Sequence, residues 1–279
     1  MADTVEAIFK NDLQQEDFDQ NGFVKFQLLE QDDIDLLRQY AEEKLGSKRQ
    51  VIDFADSLNY YISIFDNDPD HKREVDELIN SIVTPRIENV LNDYECFYSN
   101  FMIKYPGDEV LEAHQDFNLV DEELYTGFNL WSPLIDTNKQ NGGLYMVAGS
   151  HRIKKLYRGP NIPFSFTSYQ KEIASKGQLI EVGAGDCLLF DHRTIHFSGP
   201  NFTGSTRFAI QSVLKPAEST SLIYLYDEQN NRVLAKELTR EFVIEKGFWS
   251  PDLAKLETIH TRKYTNPLES EIIHKLIND

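Results

Sequence analysis

The chain has 279 residues, of which 41% are hydrophobic and 12% aromatic. This is enough for a sizeable core and close to the upper limit for one domain, so we expect residues 1–279 to form a single domain. Acidic residues outnumber basic ones by 46 to 28, which gives a net charge of −18. A surface of this sign repels phosphate backbones and anionic membranes, and nucleic acids and membranes are therefore excluded as expected partners.

The two cysteines, Cys96 and Cys187, do not belong to any close pair. They predict neither a disulfide framework nor a cysteine-rich zinc site, and they fit a reducing compartment. Residues 1–10 contain no apolar run of signal-peptide length, and no later run is long enough to span a membrane. We therefore expect a cytoplasmic protein. For its oligomeric state we expect a monomer or a homodimer.

The first part of the chain, residues 1–93, shows mainly helical patterns. Apolar side chains recur at helical spacing from Ile34 to Leu45 and again from Val75 to Leu91, where Pro85 should kink or divide the helix. The predicted elements are a largely helical stretch over 5–45 with a turn at 19–22, a strand at 23–26 and a helix over 31–45, then a mixed segment over 51–65, a loop over 67–70 and a helix over 74–91.

At Tyr94 the apolar spacing changes from helical to strand-like. Short apolar runs alternate with turn residues such as Pro106-Gly107-Asp108. The predicted strands cover residues 97–105, 125–134, 143–147, 178–182, 186–190, 194–197 and 207–214. Many short strands of this kind are typical of a jelly-roll, whose inner cavity can hold a metal. The predicted fold class is mainly β with flanking helices, around a double-stranded β-helix core of the cupin type over residues 94–215.

The last part of the chain, residues 216–279, carries the weakest patterns. They predict a strand over 222–226, an aromatic loop over 246–251 and a helix over 269–277. This region could cover the cavity, form an oligomer contact or simply pack against the rest of the domain, and the sequence leaves the three alternatives open.

Three residues form a candidate metal site. His114 and Asp116 are two positions apart, so in an extended segment both side chains point to the same side. His196 lies in a later strand-like run that could fold back against them. Two imidazoles and one carboxylate on one face of a metal are the ligand set of non-haem Fe(II) oxygenases. We expect the rival histidines, His151 in a turn-like segment and His192 farther along the chain, not to bind the metal.

Several motifs together resemble the phytanoyl-CoA dioxygenase family of Fe(II)/2-oxoglutarate-dependent oxygenases. They are, in chain order, Phe18-Asp19-Gln20-Asn21-Gly22-Phe23-Val24, His114-Gln115-Asp116, Trp131, Asn141-Gly142-Gly143, Gly149-Ser150-His151-Arg152, His196-Phe197-Ser198 and Arg207. The resemblance covers about residues 18–214. It implies a single catalytic domain with His114, Asp116 and His196 as ligands of Fe(II).

The same resemblance implies 2-oxoglutarate as cosubstrate, with O2 as the oxidant. Arg207 would hold the distal carboxylate, which a guanidinium can bind in a bidentate way, and Ser198 would assist it. The alternative for Arg207 is an ordinary surface arginine without a ligand. Met102 and Trp131 would line the cofactor pocket, with ordinary core packing as the alternative for both. Lys104 shares the strand face of Met102 and could reach an anionic ligand, although we expect a solvated lysine.

The function implied is hydroxylation of an unactivated carbon in a small molecule, with release of succinate and CO2. Related halogenases replace the carboxylate ligand with a small residue, so Asp116 favours hydroxylation. The same site could support desaturation, epimerisation or ring formation, and from another class the chain could be a non-catalytic, cupin-like protein that binds a metal or 2-oxoglutarate. The acidic composition favours an amino acid or a specialised metabolite as substrate.

Overall fold

The structure, a computed structural model, describes residues 7–48, 59–153, 156–164, 166–267 and 269–278. The mixed segment predicted over 51–65 therefore lies partly outside the described residues. The first elements are helix α1 (Asp12–Asn21), strand β1 (Phe23–Gln27) and helix α2 (Gln31–Leu45), as predicted. Gly22, with φ of 82°, reverses the chain between α1 and β1 in a backbone conformation that favours glycine.

Helix α3 (Pro69–Ile87) differs from its prediction at the start. The Asp68 side chain accepts hydrogen bonds from the backbone N–H groups of Asp70 and His71, and Pro69 occupies the first turn, where its missing N–H costs little. The predicted loop over 67–70 is therefore wrong for its second half, because Asp-Pro here starts a helix. Pro85 lies inside α3 and does not divide it.

All nine predicted strands are present, with ends shifted by a few residues, and within the described residues four further strands accompany them. Strands β2 to β13 are Tyr60–Ile62, Tyr94–Lys104, Leu111–His114, Phe128–Pro133, Leu144–Met146, Gln178–Ile180, Asp186–Asp191, His196–Ser198, Arg207–Pro216, Leu222–Asp227, Arg232–Glu237 and Thr258–Lys263. Of these, β2, β4, β12 and β13 are the four further strands. Helices α4 to α6 are Gln170–Ala174, Arg240–Lys246 and Glu269–Asn278. Short 3-10 helices cover Ser63–Phe65, Ser150–Arg152, Thr167–Tyr169, Glu228–Asn230 and Pro251–Lys255.

Two antiparallel sheets build the core. One has six strands in the order β1-β8-β5-β10-β3-β2, and the other has four in the order β4-β9-β6-β7. Trp131 and Ala209 from the first sheet share one apolar cluster with Leu144 and Met146 from the second, so the sheets face each other. This is the predicted jelly-roll, and the predicted fold class is confirmed.

The pairing of β3 with β10 decides which side chains enter the space between the sheets. Lys104 lies opposite Arg207 and Met102 lies opposite Ala209. Because alternate residues of a strand share a face, these four side chains are on the face that carries the inter-sheet cluster. The opposite face of the six-stranded sheet packs against the N-terminal helices.

The C-terminal part contains more regular structure than its patterns indicate. Strands β11, β12 and β13 form a three-stranded antiparallel sheet, of which only β11 was predicted. In β12, Lys236 is buried next to buried Ala235, which hides the alternation of apolar and polar residues. Strand β13 is largely exposed and therefore carries no apolar signal. Within the ranges described, no helix is both long and apolar enough to cross a membrane.

Phe128 of β5 packs against the N-terminal helix α1 and so connects this helix with the six-stranded sheet. Its ring is fully buried and lies 5.1 Å from Phe18, 5.2 Å from Tyr94 and 6.1 Å from Phe9, measured between ring centroids. We expect Phe128→Ala to lower the free energy of unfolding by about 3–5 kcal/mol, because it removes the contacts of a buried ring and leaves a cavity.

Denaturant unfolding measures this change, and Leu13→Ala in the same helical region is the control. Leu13 is 71% exposed, and we expect its replacement to change stability by no more than about 0.5 kcal/mol. Equal stabilities for the two variants would contradict the packing described.

Candidate metal and cosubstrate site

The pairing of β4 with β9 brings the predicted metal ligands together. His114, the last residue of β4, lies directly opposite His196, the first residue of β9, and Asp116 follows two residues after β4 ends. The Nε2 atom of His114 is 3.9 Å from Oδ1 of Asp116, and the Nε2 atom of His196 is 3.7 Å from Oδ2. One potential ligand atom from each residue lies within 4.8 Å of the other two. In the described part of the chain, this is the group that could hold a metal ion.

Backbone carbonyls fix the orientation of both imidazole rings. Nδ1 of His114 lies 2.7 Å from the carbonyl oxygen of Glu112, and Nδ1 of His196 lies 3.0 Å from that of Thr194. A carbonyl oxygen can only accept, so each Nδ1 carries the proton and donates it. Each Nε2 is then left with a free lone pair facing Asp116, as a metal ligand requires.

The protonation states also suit a cation. Burial lowers the pKa of His114 to about 4, and the neighbouring His196 acts in the same direction. Burial alone would raise the pKa of Asp116, but the neighbouring histidines, His196 most of all, and the hydrogen bond from Asn129 outweigh it, and the pKa is lowered. At neutral pH the site therefore presents a neutral His114 and a negative carboxylate, so the donor set fits a divalent metal.

Hydrogen bonds hold Asp116 on both its side chain and its backbone. The side-chain amide of Asn129 donates to Oδ2 of Asp116, and the Asn129 carbonyl oxygen accepts from Gln211 Nε2 at 3.0 Å. The backbone N–H of Asp116 donates to the carbonyl of His192 at 3.1 Å, and Nε of Arg158 donates to the Asp116 carbonyl. The carboxylate is thus oriented before any metal binds.

The predicted cosubstrate residues lie together between the two sheets. Arg207 is completely buried, and it donates through Nη1 to the carbonyl of Gly142. Its guanidinium carbon is 5.3 Å from the centre of the Trp131 ring. Ser198 is also buried, with its hydroxyl oxygen 2.6 Å from that of Tyr60. The alternative of a surface arginine is wrong, because the Arg207 side chain lies inside the protein.

Two buried polar atoms in this region fit a ligand that carries a hydrogen-bond acceptor. Nε of Arg207 and Nε1 of Trp131 have no hydrogen-bond partner among the described residues. Both are donors, and a buried donor without a partner is costly unless an acceptor binds there. Trp131 also belongs to the inter-sheet apolar cluster, and half-buried Met102 packs against the same cluster. Met102 therefore takes part in core packing beside Trp131, and its role in lining a cofactor pocket stays a prediction.

The sequence missed several residues of this region. Lys104 is 1% exposed, so the expectation of a solvated lysine is wrong: register places it between β10 and β2, where water does not reach. Tyr60 lies in an edge strand within a segment that gave no clear pattern. Asn129 and Gln211 are amides in apolar strands, and the only signal available was their polarity at inward-facing positions.

The rival histidines lie outside the three-residue group. His151 packs against the ring of Phe18 at a centroid distance of 5.9 Å. His192 is fully buried, and neither of its ring nitrogens has a hydrogen-bond partner within the described ranges.

The fold and this group of side chains define a jelly-roll protein with a candidate metal site of two histidines and one carboxylate. The chain belongs to the phytanoyl-CoA dioxygenase (PhyH) family, which it matches over residues 18–209, more than half of its length. The predicted family is therefore confirmed, and with it the prediction of an Fe/2-oxoglutarate-dependent protein class. No curated protein matches the sequence.

Solved structures with the same fold share little sequence with this chain. The 2-oxoglutarate-dependent carbocyclase SnoK from nogalamycin biosynthesis is 18% identical, with a TM-score of 0.56 over 76% of this chain and 86% of SnoK. The epimerase SnoN, in complex with Fe3+, α-ketoglutarate and nogalamycin RO, is 17% identical, with a TM-score of 0.56 over 75% of this chain and 85% of SnoN. HygX from Streptomyces hygroscopicus, with nickel and 2-oxoglutarate bound, is 16% identical, with a TM-score of 0.52 over 75% of this chain and 88% of HygX.

Removing the hydrogen bond from Asn129 should weaken metal binding. We expect Asn129→Ala to raise the dissociation constant for Fe(II) or Co(II) about 10–100-fold, because Asp116 loses the donor that orients its carboxylate. Anaerobic metal titration measures this constant. The exposed Asn230, which hydrogen-bonds to Asp227 in its own turn, provides the control variant Asn230→Ala. Unchanged affinity in Asn129→Ala would show that the amide does not position the ligand.

Proposed function

We propose that the protein is an Fe(II)/2-oxoglutarate-dependent dioxygenase that hydroxylates an unactivated carbon of a small molecule. The observation that carries this proposal is the convergence of two free imidazole Nε2 atoms and one carboxylate beside a buried arginine. Such a set binds one face of an Fe(II) ion and leaves the other face for exchangeable ligands.

Each residue has a distinct part in this proposal. His114, Asp116 and His196 would hold the iron, with Asp116 offsetting part of its charge. Arg207 and Ser198 would bind the distal carboxylate of 2-oxoglutarate. Iron and 2-oxoglutarate, when bound, would supply the oxidation of a C–H bond by O2, with succinate and CO2 as the products of the cosubstrate.

The protein's own contribution is to orient the reactants and to limit the access of water. Asn129 and the backbone contacts keep Asp116 in place, and the apolar cluster around Trp131 borders the cosubstrate residues. A buried, pre-oriented set of ligands and donors needs little rearrangement when the reaction occurs.

The C-terminal part contributes a wall next to the metal ligands. Phe248 lies 5.6 Å from Tyr98 and 6.1 Å from Phe117, the residue that follows Asp116. Trp249 packs edge-on against Phe65 at 4.9 Å. Of the three alternatives for residues 216–279, these contacts support a cover for the cavity, and they support one catalytic domain over the whole chain. The aromatic wall also supports a substrate with an apolar body.

The substrate class follows from weaker observations. The negative net charge disfavours a large polyanion, and we propose an amino acid or a specialised metabolite. SnoK is a carbocyclase and SnoN is an epimerase, so ring formation and epimerisation are the second candidate reactions. These reactions use the same ligands and differ in the fate of the substrate. That the protein acts in the cytoplasm as a monomer or homodimer stays a prediction.

The proposed reaction is tested with the iron-loaded protein, 2-oxoglutarate, O2 and a library of metabolites. We expect at least one compound to stimulate succinate formation and to gain one oxygen atom, as measured by mass spectrometry. An unchanged product mass with equal succinate formation would indicate epimerisation instead, and the loss of two hydrogen atoms would indicate desaturation or ring formation.

Asp116→Ala should lower succinate formation by at least about 100-fold, because a direct ligand matters more than the groups that support it. Asp35→Ala is the matched control, since Asp35 is an exposed carboxylate on α2. The proposal is wrong if the wild-type protein converts no 2-oxoglutarate with any compound. Binding of iron and 2-oxoglutarate without O2 consumption would favour the non-catalytic alternative.

A further inference from the structure

The loop that carries Asp116 lies outside the strands that position the two histidines. Strand β4 ends at His114, and residues 115–127, which lead to β5, form neither a helix nor a strand. The backbone N–H of Asp116 donates to the carbonyl of His192, and its carbonyl accepts from Nε of Arg158. The position of this carboxylate in the site therefore depends on loop and side-chain contacts rather than on a strand ladder.

The guanidinium group of Arg158 links Asp116 to Glu122, farther along the same loop. Nη2 of Arg158 donates to Oε1 of Glu122 at 2.6 Å, and Nη1 donates to Oε2 at 3.2 Å and to the carbonyl of Leu156 at 3.0 Å. The side chains of Arg158 and Glu122 are 8% and 11% exposed. Because a bidentate arginine–carboxylate pair has a defined geometry, the group that donates to Asp116 is itself held in place.

The backbone of Arg158 binds the residue on the other side of Phe117. The N–H of Arg158 donates to Oδ1 of Asn118 at 2.5 Å, and the N–H of Asn118 donates to the Arg158 carbonyl at 3.4 Å. Asn118 is 3% exposed, and its Nδ2 donates to the carbonyl of Leu156 at 3.2 Å. Arg158 therefore holds the residue before Phe117 with its side chain and the residue after it with its backbone.

Phe117 connects this segment to the aromatic wall of the C-terminal part. Its ring centroid lies 6.1 Å from that of Phe248 and 6.1 Å from that of Trp249, edge-on in both cases. Asp116, its neighbour in the chain, is a candidate ligand of the metal. Two consecutive residues thus supply a metal ligand and a part of the wall, and Arg158 contacts both ends of the segment that contains them.

Stability alone does not explain a buried ion pair at this place. The cost of removing two charges from water often cancels their attraction, and apolar side chains of similar size can replace such a pair without loss of stability. A buried polar network in which each member has a partner does, however, hold its members in one arrangement. In the network of Arg158, the carbonyl of Asp116 is one of the acceptors.

We propose that Arg158, paired with Glu122, is a positioning residue that keeps the metal ligand Asp116 and the wall residue Phe117 in a fixed relation, so that the metal site and the substrate wall form one unit. This inference rests on the proposed function, which takes Asp116 as a ligand. It adds that the ligand and the wall share one support.

Replacement of the whole ion pair tests this inference. The double variant Arg158→Met/Glu122→Met removes the guanidinium group without leaving an unpaired charge in the interior. We expect its dissociation constant for Co(II) to rise about tenfold or more, because groups that orient a metal ligand have effects of this size. Anaerobic titration measures the constant. At saturating Co(II) the visible spectrum should differ from that of the wild type, since it reports the geometry of occupied sites.

Tryptophan fluorescence tests the second half of the proposal without any metal. The chain has two tryptophans, of which Trp131 is 2% exposed and Trp249 is 43% exposed. Quenching by acrylamide therefore reports mainly on Trp249. We expect stronger quenching in the metal-free double variant, because Phe117 is no longer held against the indole ring.

Arg262→Met is the matched control on the same loop. Arg262 of β13 donates to both carboxylate oxygens of Asp121 at 3.0 and 2.7 Å, and its Nη2 lies 3.4 Å from Glu123. These partners belong to the loop but not to the segment around Phe117. The control should keep the wild-type Co(II) constant and spectrum. The unfolding midpoint of the metal-free double variant should also stay close to that of the wild type.

The possible failures can be told apart. If wild-type protein binds Co(II) and the double variant keeps its affinity and spectrum, the inference is overturned and the proposed function stands. An equal loss in Arg262→Met would overturn it as well, because order of the loop in general would then be responsible.

Two further results would also overturn the inference. A lower unfolding midpoint with a wild-type spectrum would show a structural role only, and a loss of affinity with unchanged quenching would show that ligand and wall are not coupled. If wild-type protein binds neither Co(II) nor Fe(II), the proposed function is overturned, and this inference with it.

Discussion

The antiparallel pairing of β4 with β9 is the constraint on which the rest of the site depends. It places His114 opposite His196 from segments far apart in the chain, and the residue two positions after His114 supplies the carboxylate. The backbone carbonyls of the same two segments set the tautomer of both rings. The candidate metal site is therefore a direct product of strand register, because a slip of one residue in either strand would turn the histidine of that strand away from the other histidine.

Strand register also determines where the charged side chains lie between the two sheets. The carboxylate of Asp116 lies among imidazoles at one place between the sheets, and the cations Lys104 and Arg207 lie at another, with Trp131 between apolar side chains. A molecule with a chelating end and a distal carboxylate matches this separation of negative and positive groups. The acidic surface of the protein contrasts with this locally positive pocket, which shows why net charge alone describes the ligand poorly.

The sequence carries the parts of this structure that depend on local patterns. Strand periodicity and turn residues predicted the jelly-roll. The spacing of His114 and Asp116 predicted two candidate ligands, His196 was a candidate from its strand-like run, and the resemblance to the family added the role of Arg207. Lys104 was misjudged because lysine is usually solvated, and its burial depends on which strands flank β3. Strands β12 and β13 were missed for a related reason, since a buried lysine and an exposed face remove the alternation that marks a strand. The sequence alone could not show which distant segments pair as strands, and therefore which polar side chains become buried next to one another.

The central claim is that His114, Asp116 and His196 hold an iron ion to which 2-oxoglutarate can bind. The most direct measurement is the visible absorption spectrum of the protein under anaerobic conditions, after addition of Fe(II) and then of 2-oxoglutarate. The account predicts a metal-to-ligand charge-transfer band that needs both additions and is missing in Asp116→Ala. A wild-type protein without this band, or an Asp116→Ala variant with the full band, would contradict the account.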